Sequence, residues 1–251
     1  MQRRNFGGTS LETSAIAFGT WALGSDWWGQ TDEPDALIGR ALELGITFFD
    51  TGDAYGQGAN EEIVGAALMR ASTPRDQLQL STKFGYVLQH EREGHSESER
   101  PQDFSPQHAR AALEESLRRL QTDYVDLYQL HNPRMDAIER HDLFAELELL
   151  VAEGKIRHFG VALGPAIGWR DEGVRALQEH QIASLQTVYN LLEQEPGAEL
   201  LELAESTGAG VMARVPTSSG LLEDKYTLST TFSGNDHRRH RKREWLEQGL
   251  H

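Results

Sequence analysis

The chain contains no cysteine, which removes disulfides, thiolate catalysis and Cys-ligated zinc together. No stretch approaches the run of about 18 apolar residues that spans a bilayer. The start, Met1-Gln2-Arg3-Arg4-Asn5-Phe6, has two arginines but no apolar stretch behind them, unlike a secretory signal. Positive charge is scarce: 24 Lys and Arg face 39 Asp and Glu, for a formal net charge of −15. Such a surface repels nucleic acid and anionic lipid, so partners of those kinds are disfavoured. Neither G-x-G-x-x-G nor G-x-x-x-x-G-K occurs, so the phosphate cradles built on those motifs are absent. His90, His95, His108, His141 and His180 show no ligand spacing, and no metal site is expected. What remains is a cytoplasmic protein, and 251 residues suit one barrel-sized domain over 1–251.

Against those absences stands a regular alternation. Arg3–Phe6 and Thr13–Ala17 flank Gly7-Gly8 and read as a short hairpin. Apolar strand candidates follow at Ala15–Phe18, Thr47–Phe49, Leu78–Thr82, Val125–Leu130, Ile156–Val161, Ser184–Val188 and Gly210–Val215. Helical patterns lie between them with start and stop signals. Pro34 begins one that closes at Gly45, and Asn60 precedes another. Ser105-Pro106 caps a third. Asp136 opens a helix that closes at Gly154, Pro196 one that closes at Gly208, and Glu244–Leu250 starts the last. Strand and helix in strict alternation mean a parallel sheet. An open doubly wound sheet predicts a Gly-rich turn after its first strand, and none is present. A closed barrel predicts reactive side chains at the C-terminal ends of several strands. Asp50, Lys83 and His131 fall there, and Tyr55 follows Asp50 across a glycine-flanked loop. The barrel is the preferred reading.

Taken singly, a tyrosine after a strand packs, a Lys–Asp pair is a salt bridge, and a strand-end histidine is a structural group. Together they can protonate a carbonyl oxygen. A free phenol is a weak acid, with a pKa of about 10. A neighbouring ammonium stabilises the phenolate and eases proton release. Asp50 would hold that ammonium, and His131 would orient the substrate oxygen.

Phe48-Phe49-Asp50-Thr51-Gly52-Asp53-Ala54-Tyr55-Gly56, Ser81-Thr82-Lys83-Phe84-Gly85 and Asp126-Leu127-Tyr128-Gln129-Leu130-His131 resemble the aldo-keto reductase family. So do Gly19-Thr20-Trp21, the stretch Gln186 to Asn190, and Gly220-Leu221-Leu222. The resemblance runs almost end to end. It implies a TIM-type (β/α)8 barrel, α/β in class, with an N-terminal β-hairpin closing its bottom. It also implies an NADP(H)-dependent oxidoreductase that reduces the carbonyl of small aldehydes or ketones. In that scheme Tyr55 is the general acid, Asp50 and Lys83 tune it, and His131 orients the substrate. The resemblance assigns NADPH contacts to Gly19, Thr20, Trp21, Asp50 and Gln186, and to Arg214, Val215, Pro216, Thr217, Ser219 and Gly220. Trp21, with Trp27, Trp28 and Tyr86, would wall the substrate pocket.

Three features depart from the family pattern. Ala162-Leu163 stand where many members carry Ser-Asn, and Arg214 stands where many place an aromatic ring. The strand–helix units number seven before the chain stops at His251. The resemblance therefore implies a truncated member without its eighth unit, with weakened cofactor affinity. A non-catalytic cofactor-sensing subunit and an inactive fragment are the alternatives. The basic run Arg238–Arg243 reads as an anion patch, as a solvated lead into the last helix, or as a segment near the cofactor phosphates. Substrate identity and oligomeric state leave no trace in the sequence.

Overall fold

The structure is a computed structural model that describes residues 1–23, 33–71, 73–88, 100–164, 169–234 and 236–250. Trp27, Trp28, His90 and His95 lie outside the described residues. The chain opens with a hairpin of β1 (Arg3–Asn5) and β2 (Glu12–Ser14). Gly7, at φ +56°, makes its turn; a Cβ there would stand 2.4 Å from the Gly210 nitrogen. The turn thus lies directly on the chain entering the last strand. Phe6 is buried edge-on against Phe48, at 5.8 Å between ring centroids, in a cluster with Leu127 and Met212. The hairpin thereby plugs the N-terminal end of the sheet. β2 stops earlier than the pattern Thr13–Ala17 predicts. Ser14 turns its hydroxyl to accept the N–H groups of Thr47 and Phe48 at 3.1 and 3.3 Å, and that turn separates the hairpin from the next strand.

Seven parallel strands follow in chain order: β3 (Ala17–Gly19), β4 (Phe48–Asp50), β5 (Gln79–Phe84), β6 (Val125–His131), β7 (Ile156–Ala162), β8 (Ser184–Val188) and β9 (Gly210–Arg214). The sheet curls strongly. Strands β4 and β8 are four spacings apart, about 19 Å in a flat sheet. Yet the Gln186 amide on β8 donates to the Asp50 carboxylate on β4 at 3.1 Å. The result is an incomplete (β/α)8 barrel whose edges are β3 and β9.

Helices cover the outer face: α1 (Pro34–Glu43), α2 (Ala59–Arg70), α3 (Pro106–Leu120), α4 (Met135–Ile138), α5 (His141–Ala152), α6 (Arg170–Glu179), α7 (Gly197–Thr207) and α8 (Arg243–Gly249). Their apolar stripes meet the sheet through fully buried Ile38, Val64, Leu113, Leu143, Leu147 and Leu150. Each such side chain contributes roughly 1.5–3 kcal/mol through burial. Ser105 caps α3 by accepting the His108 N–H at 3.2 Å, with Pro106 in the first turn. The single helix expected over Asp136–Gly154 is two, α4 and α5. The Ile138 carbonyl, which a continuous helix would bond to residue 142, is taken by the His180 ring at 2.7 Å. Asn60 does not start α2; it sits within the first turn and donates to the Thr20 carbonyl at 2.6 Å. Helix α6 has no capping side chain at Trp169 and has Gly173 inside it, so only Asp171 and Glu172 in its first turn mark its start in the sequence. No helix among the described residues is long and apolar enough to cross a membrane.

Candidate active site

Side chains two apart on a strand share a face. On β5 and β6 the inward positions near the C-terminal end are therefore Ser81 and Lys83, and Gln129 and His131. The register pairs Asp50 with Ser81 and Lys83 with Gln129. Lys83 is fully buried. Its Nζ donates to Asp50 Oδ2 at 2.7 Å and to the Thr51 carbonyl at 2.6 Å. Asp50 also accepts from Gln186 at 3.1 Å and from Gln129 at 3.4 Å. Burial by itself would push the Lys83 pKa down. The charges of Asp50 and Tyr55, and hydrogen bonds to both side chains, outweigh it and leave the group above its ordinary value. It is an ammonium at neutral pH.

Tyr55 reaches this ammonium because the chain reverses at Gly52. The Tyr55 N–H donates to the Gly52 carbonyl at 3.0 Å, and the phenol folds back beside Gly52. Its ring centroid lies 4.9 Å from Lys83 Nζ. His131 stands edge-on between two phenol rings, 5.5 Å from Tyr55 and 5.0 Å from Tyr86. Its Nδ1 is buried without a partner among the described residues. Burial first, then the positive charges of Lys83, Arg214 and Arg100, hold its pKa well below the usual histidine range. A neutral imidazole thus faces a phenol that faces an ammonium. The four residues singled out in the sequence come together at one rim.

The positions assigned to cofactor contact divide into two groups. Gly19 pairs with Asp50 across β3 and β4. Thr20 is fully buried, and its hydroxyl donates to the Asp50 carbonyl at 3.2 Å, so it holds the strand that carries Asp50. Trp21 is 39% exposed at the rim. The second group is the loop after β9. Val215, Ser218, Ser219 and Gly220 all have left-handed φ, of 55°, 47°, 57° and 97°. For a β-branched residue such as Val215 that conformation is strained. It is held because the Val215 carbonyl accepts from Asn190 Nδ2 and from the Ser218 N–H, both at 3.0 Å. Ser218 is tied in turn to Glu193 at 3.0 Å. Left-handed turns of this kind gather backbone N–H groups into an anion-binding concavity. Arg241 donates to Ser219 Oγ at 3.2 Å, so the basic run folds against this loop. The residues present fit a phosphate-bearing cofactor. Arg214 donates to the Leu163 carbonyl at 3.3 Å. Ala162 and Leu163 are buried apolar side chains, with no donor to offer there.

The model of the aldo/keto reductase family matches residues 15–250. The chain belongs to the aldo-keto reductase family. Aldo-keto reductase YhdN of Bacillus subtilis is 36% identical over 249 residues, covering 96% of this chain and 69% of that protein. Probable aldo-keto reductase 1 of Glycine max is 32% identical over 228 residues, covering 90% of this chain and 62% of that protein. This aldo-keto reductase chain thus spans about two thirds of the length of those relatives. Among solved structures, aldo-keto reductase AKR11C1 from Bacillus halodurans, in its holo form, has a TM-score of 0.77 at 32% identity, over 93% of this chain and 73% of that one. Glycerol dehydrogenase AKR11B4 from Gluconobacter oxydans has a TM-score of 0.79 at 31% identity, over 99% and 74%.

Behind the rim of this aldo-keto reductase lies a buried polar network that sequence reasoning missed. Glu61 is fully buried; it accepts from Thr82, next to Lys83, at 2.5 Å and from Arg119 of α3 at 2.7 Å. Asp53, between Asp50 and Tyr55, is 1% exposed. Burial first, then the charge of Glu61, raises its pKa well above the ordinary value. The signal in the sequence was slight: Glu61 looks like an ordinary acidic residue in a first helical turn. Among the described residues no group of His, Asp and Glu could hold a metal ion.

Proposed function

We propose that the chain is an NADP(H)-dependent oxidoreductase that reduces the carbonyl of small aldehydes or ketones to alcohols, working in the cytoplasm on small molecules. One observation carries this reading: a fully buried ammonium, Lys83, is bonded to Asp50 and packed against the Tyr55 phenol. When bound, the reduced nicotinamide supplies the hydride. Tyr55 donates its proton to the carbonyl oxygen, and Lys83 stabilises the phenolate that proton loss leaves. Asp50 holds Lys83 in place. His131, kept neutral, donates or accepts a hydrogen bond without adding a charge, which suits it to orienting the carbonyl. Gln186 positions Asp50 through its amide nitrogen. Ser219, Gly220 and Arg241 would hold the phosphates, with Arg214 near the reacting end. Trp21 and Tyr86 wall the substrate side.

The test is oxidation of NADPH against a panel of aldehydes and ketones, with Tyr55→Phe beside the wild type. A positioned acid contributes roughly 10²–10⁴ in rate. The variant is expected to lose turnover by that factor while cofactor binding, read by titration, is retained. Equal turnover by Tyr55→Phe would refute the assignment. A protein that only senses the cofactor would bind it with no turnover to lose.

A further inference from the structure

The first turn of α2 is bonded, at one remove, to both halves of the Asp50–Lys83 pair. Fully buried Asn60 donates to the Thr20 carbonyl at 2.6 Å. Thr20 in turn bonds the Asp50 carbonyl through its N–H at 3.0 Å and its hydroxyl at 3.2 Å. Glu61 follows Asn60 and accepts from the Thr82 hydroxyl at 2.5 Å; both residues are fully buried. Thr82 precedes Lys83 on β5, so its side chain faces the helices while that of Lys83 faces the barrel interior. One helical turn thus gauges β5 against β4, and with it the ammonium against the carboxylate. The loop that carries Tyr55 rests on the same stretch of β5. Its Thr51 N–H donates to the Ser81 carbonyl at 2.9 Å, and its Asp53 N–H to the Lys83 carbonyl at 3.2 Å. Glu61 is fixed from its far side by Arg119, whose Nε donates at 2.7 Å and whose side chain is 9% exposed. Arg119 also packs against Gly58, where a Cβ would stand 2.9 Å from its Cδ. Desolvation offsets much of the attraction within so buried an ion pair; what the pair fixes is position.

We propose that Glu61 is a positioning residue for the reaction: held by Arg119 and acting through Thr82, it sets the Lys83 ammonium against the Asp50 carboxylate and the Tyr55 phenol. The inference rests on the reductase reading above for its catalytic consequence, and on the contacts of α2 for its geometry. Glu61 touches neither substrate nor cofactor in this scheme. Its effect is on distance, and a misplacement of about 1 Å at a reacting centre costs on the order of a hundredfold in rate. Asn60 does the matching work on the β4 side, through Thr20. The chemistry at the rim therefore depends on a helix–helix contact, Glu61 of α2 with Arg119 of α3, that lies on the outer side of the sheet.

The experiment is nuclear magnetic resonance of the full chain with isotopically labelled lysine, reading how fast the Lys83 ammonium protons exchange with water. Lys155, Lys225 and Lys242 are not buried, so the slowly exchanging ammonium signal belongs to Lys83. Thr82→Val keeps the branched shape and removes the hydroxyl. The double variant Glu61→Leu with Arg119→Met removes both charges together, which leaves no buried ion unpaired. Each should speed ammonium exchange by roughly ten- to a hundredfold, the equivalent of one hydrogen bond to a charged group. Exchange of the Leu147 amide on remote α5 should stay as in the wild type. Thr82→Ser, which keeps the hydroxyl, should restore slow exchange. In assays with NADPH and an aldehyde, kcat should fall by about ten- to a hundredfold in the first two variants, with KM little changed. Native exchange in Thr82→Val overturns the proposal, and so does native exchange in a folded double variant. Equal acceleration at Lys83 and Leu147 also overturns it, because the pair would then only stabilise the fold. The two readings fail separately. Faster ammonium exchange in the variants of a wild type that reduces no carbonyl sinks only the reductase assignment. Carbonyl reduction that Tyr55→Phe abolishes and Thr82→Val leaves intact sinks only this one.

Discussion

Replacing Asp50 by Asn strips the buried Lys83 ammonium of its counter-charge while keeping the volume. In the native protein burial opposes the charge on Lys83, and Asp50 leads the effects that outweigh it. Its raised pKa therefore contributes stability that is fully present below about pH 10.4, the unfolded value, and is lost only above it. In Asp50→Asn, burial has no carboxylate to oppose it. The Lys83 pKa should then fall below the unfolded value, and the sign reverses. The cost is complete at neutral pH and shrinks as pH rises toward 10, because the folded state can shed the proton. Removing one partner of a buried ion pair costs about 3–5 kcal/mol. Lys83 is fully buried and its side-chain partner Asp50 is 11% exposed, so the full range applies. For a chain of this size each kcal/mol is about 2–4 °C in Tm, which gives a drop of roughly 6–20 °C at pH 7. Urea denaturation at pH 7 and pH 9.5 would measure it. The double variant Asp50→Asn with Lys83→Met should recover much of the loss, since neither unpaired charge remains. A deficit under about 1 kcal/mol, or one that does not shrink at the higher pH, would refute the electrostatic account of the site.

Four further outcomes follow from particular contacts. Asp53→Asn should stabilise the protein at pH 7. The raised pKa means the folded state loses stability as pH climbs from the unfolded value through the folded one, and an amide avoids that cost; a neutral or lower midpoint in urea would contradict it. His131→Gln should flatten the fall in stability between pH 6.5 and 5. A depressed histidine pKa makes the unfolded state take up protons first; an unchanged slope would assign the acid sensitivity to other groups, such as His158 and His180, whose values burial also lowers. Gly65→Ala should cost about 1–3 kcal/mol, because its Cβ would stand 2.7 Å from the backbone of Arg119 and Leu120, where α3 cannot yield. Arg119→Met should cost about 3–5 kcal/mol by leaving Glu61 unpaired, read as a lower urea midpoint.

Much of the fold was legible because its signals are local. Ser184–Val188 matches its strand residue for residue. Pro196 and Gly208 bracket α7, where proline suits a helix start and Gly208 takes φ +78° at its end. Asp50, Lys83 and His131 could be placed on one rim because the C-terminal ends of parallel strands share one side of a sheet. The misses have non-local causes. The break between α4 and α5 depends on His180, which reaches Ile138 from 42 positions away. Helix α6 is so polar overall, with Gly173, Ala176 and Leu177 on its buried face, that its stripe does not stand out alone.

Strand positions, the Ser105 cap of α3 and the chemical types at the rim are properties of short stretches, set by hydrogen-bonding capacity and side-chain period; the amino-acid sequence by itself determined them. The charge states were decided only by the tertiary structure. Burial raises or lowers a pKa according to which neighbours converge, and the curl that brings Gln186 onto Asp50 across four strands is visible in no local window. The same curl turns an unremarkable Glu61 into the buried partner of Arg119. Packing of the basic run against Ser219 was likewise settled in three dimensions, because a charged loop carries no periodicity to say what it will touch.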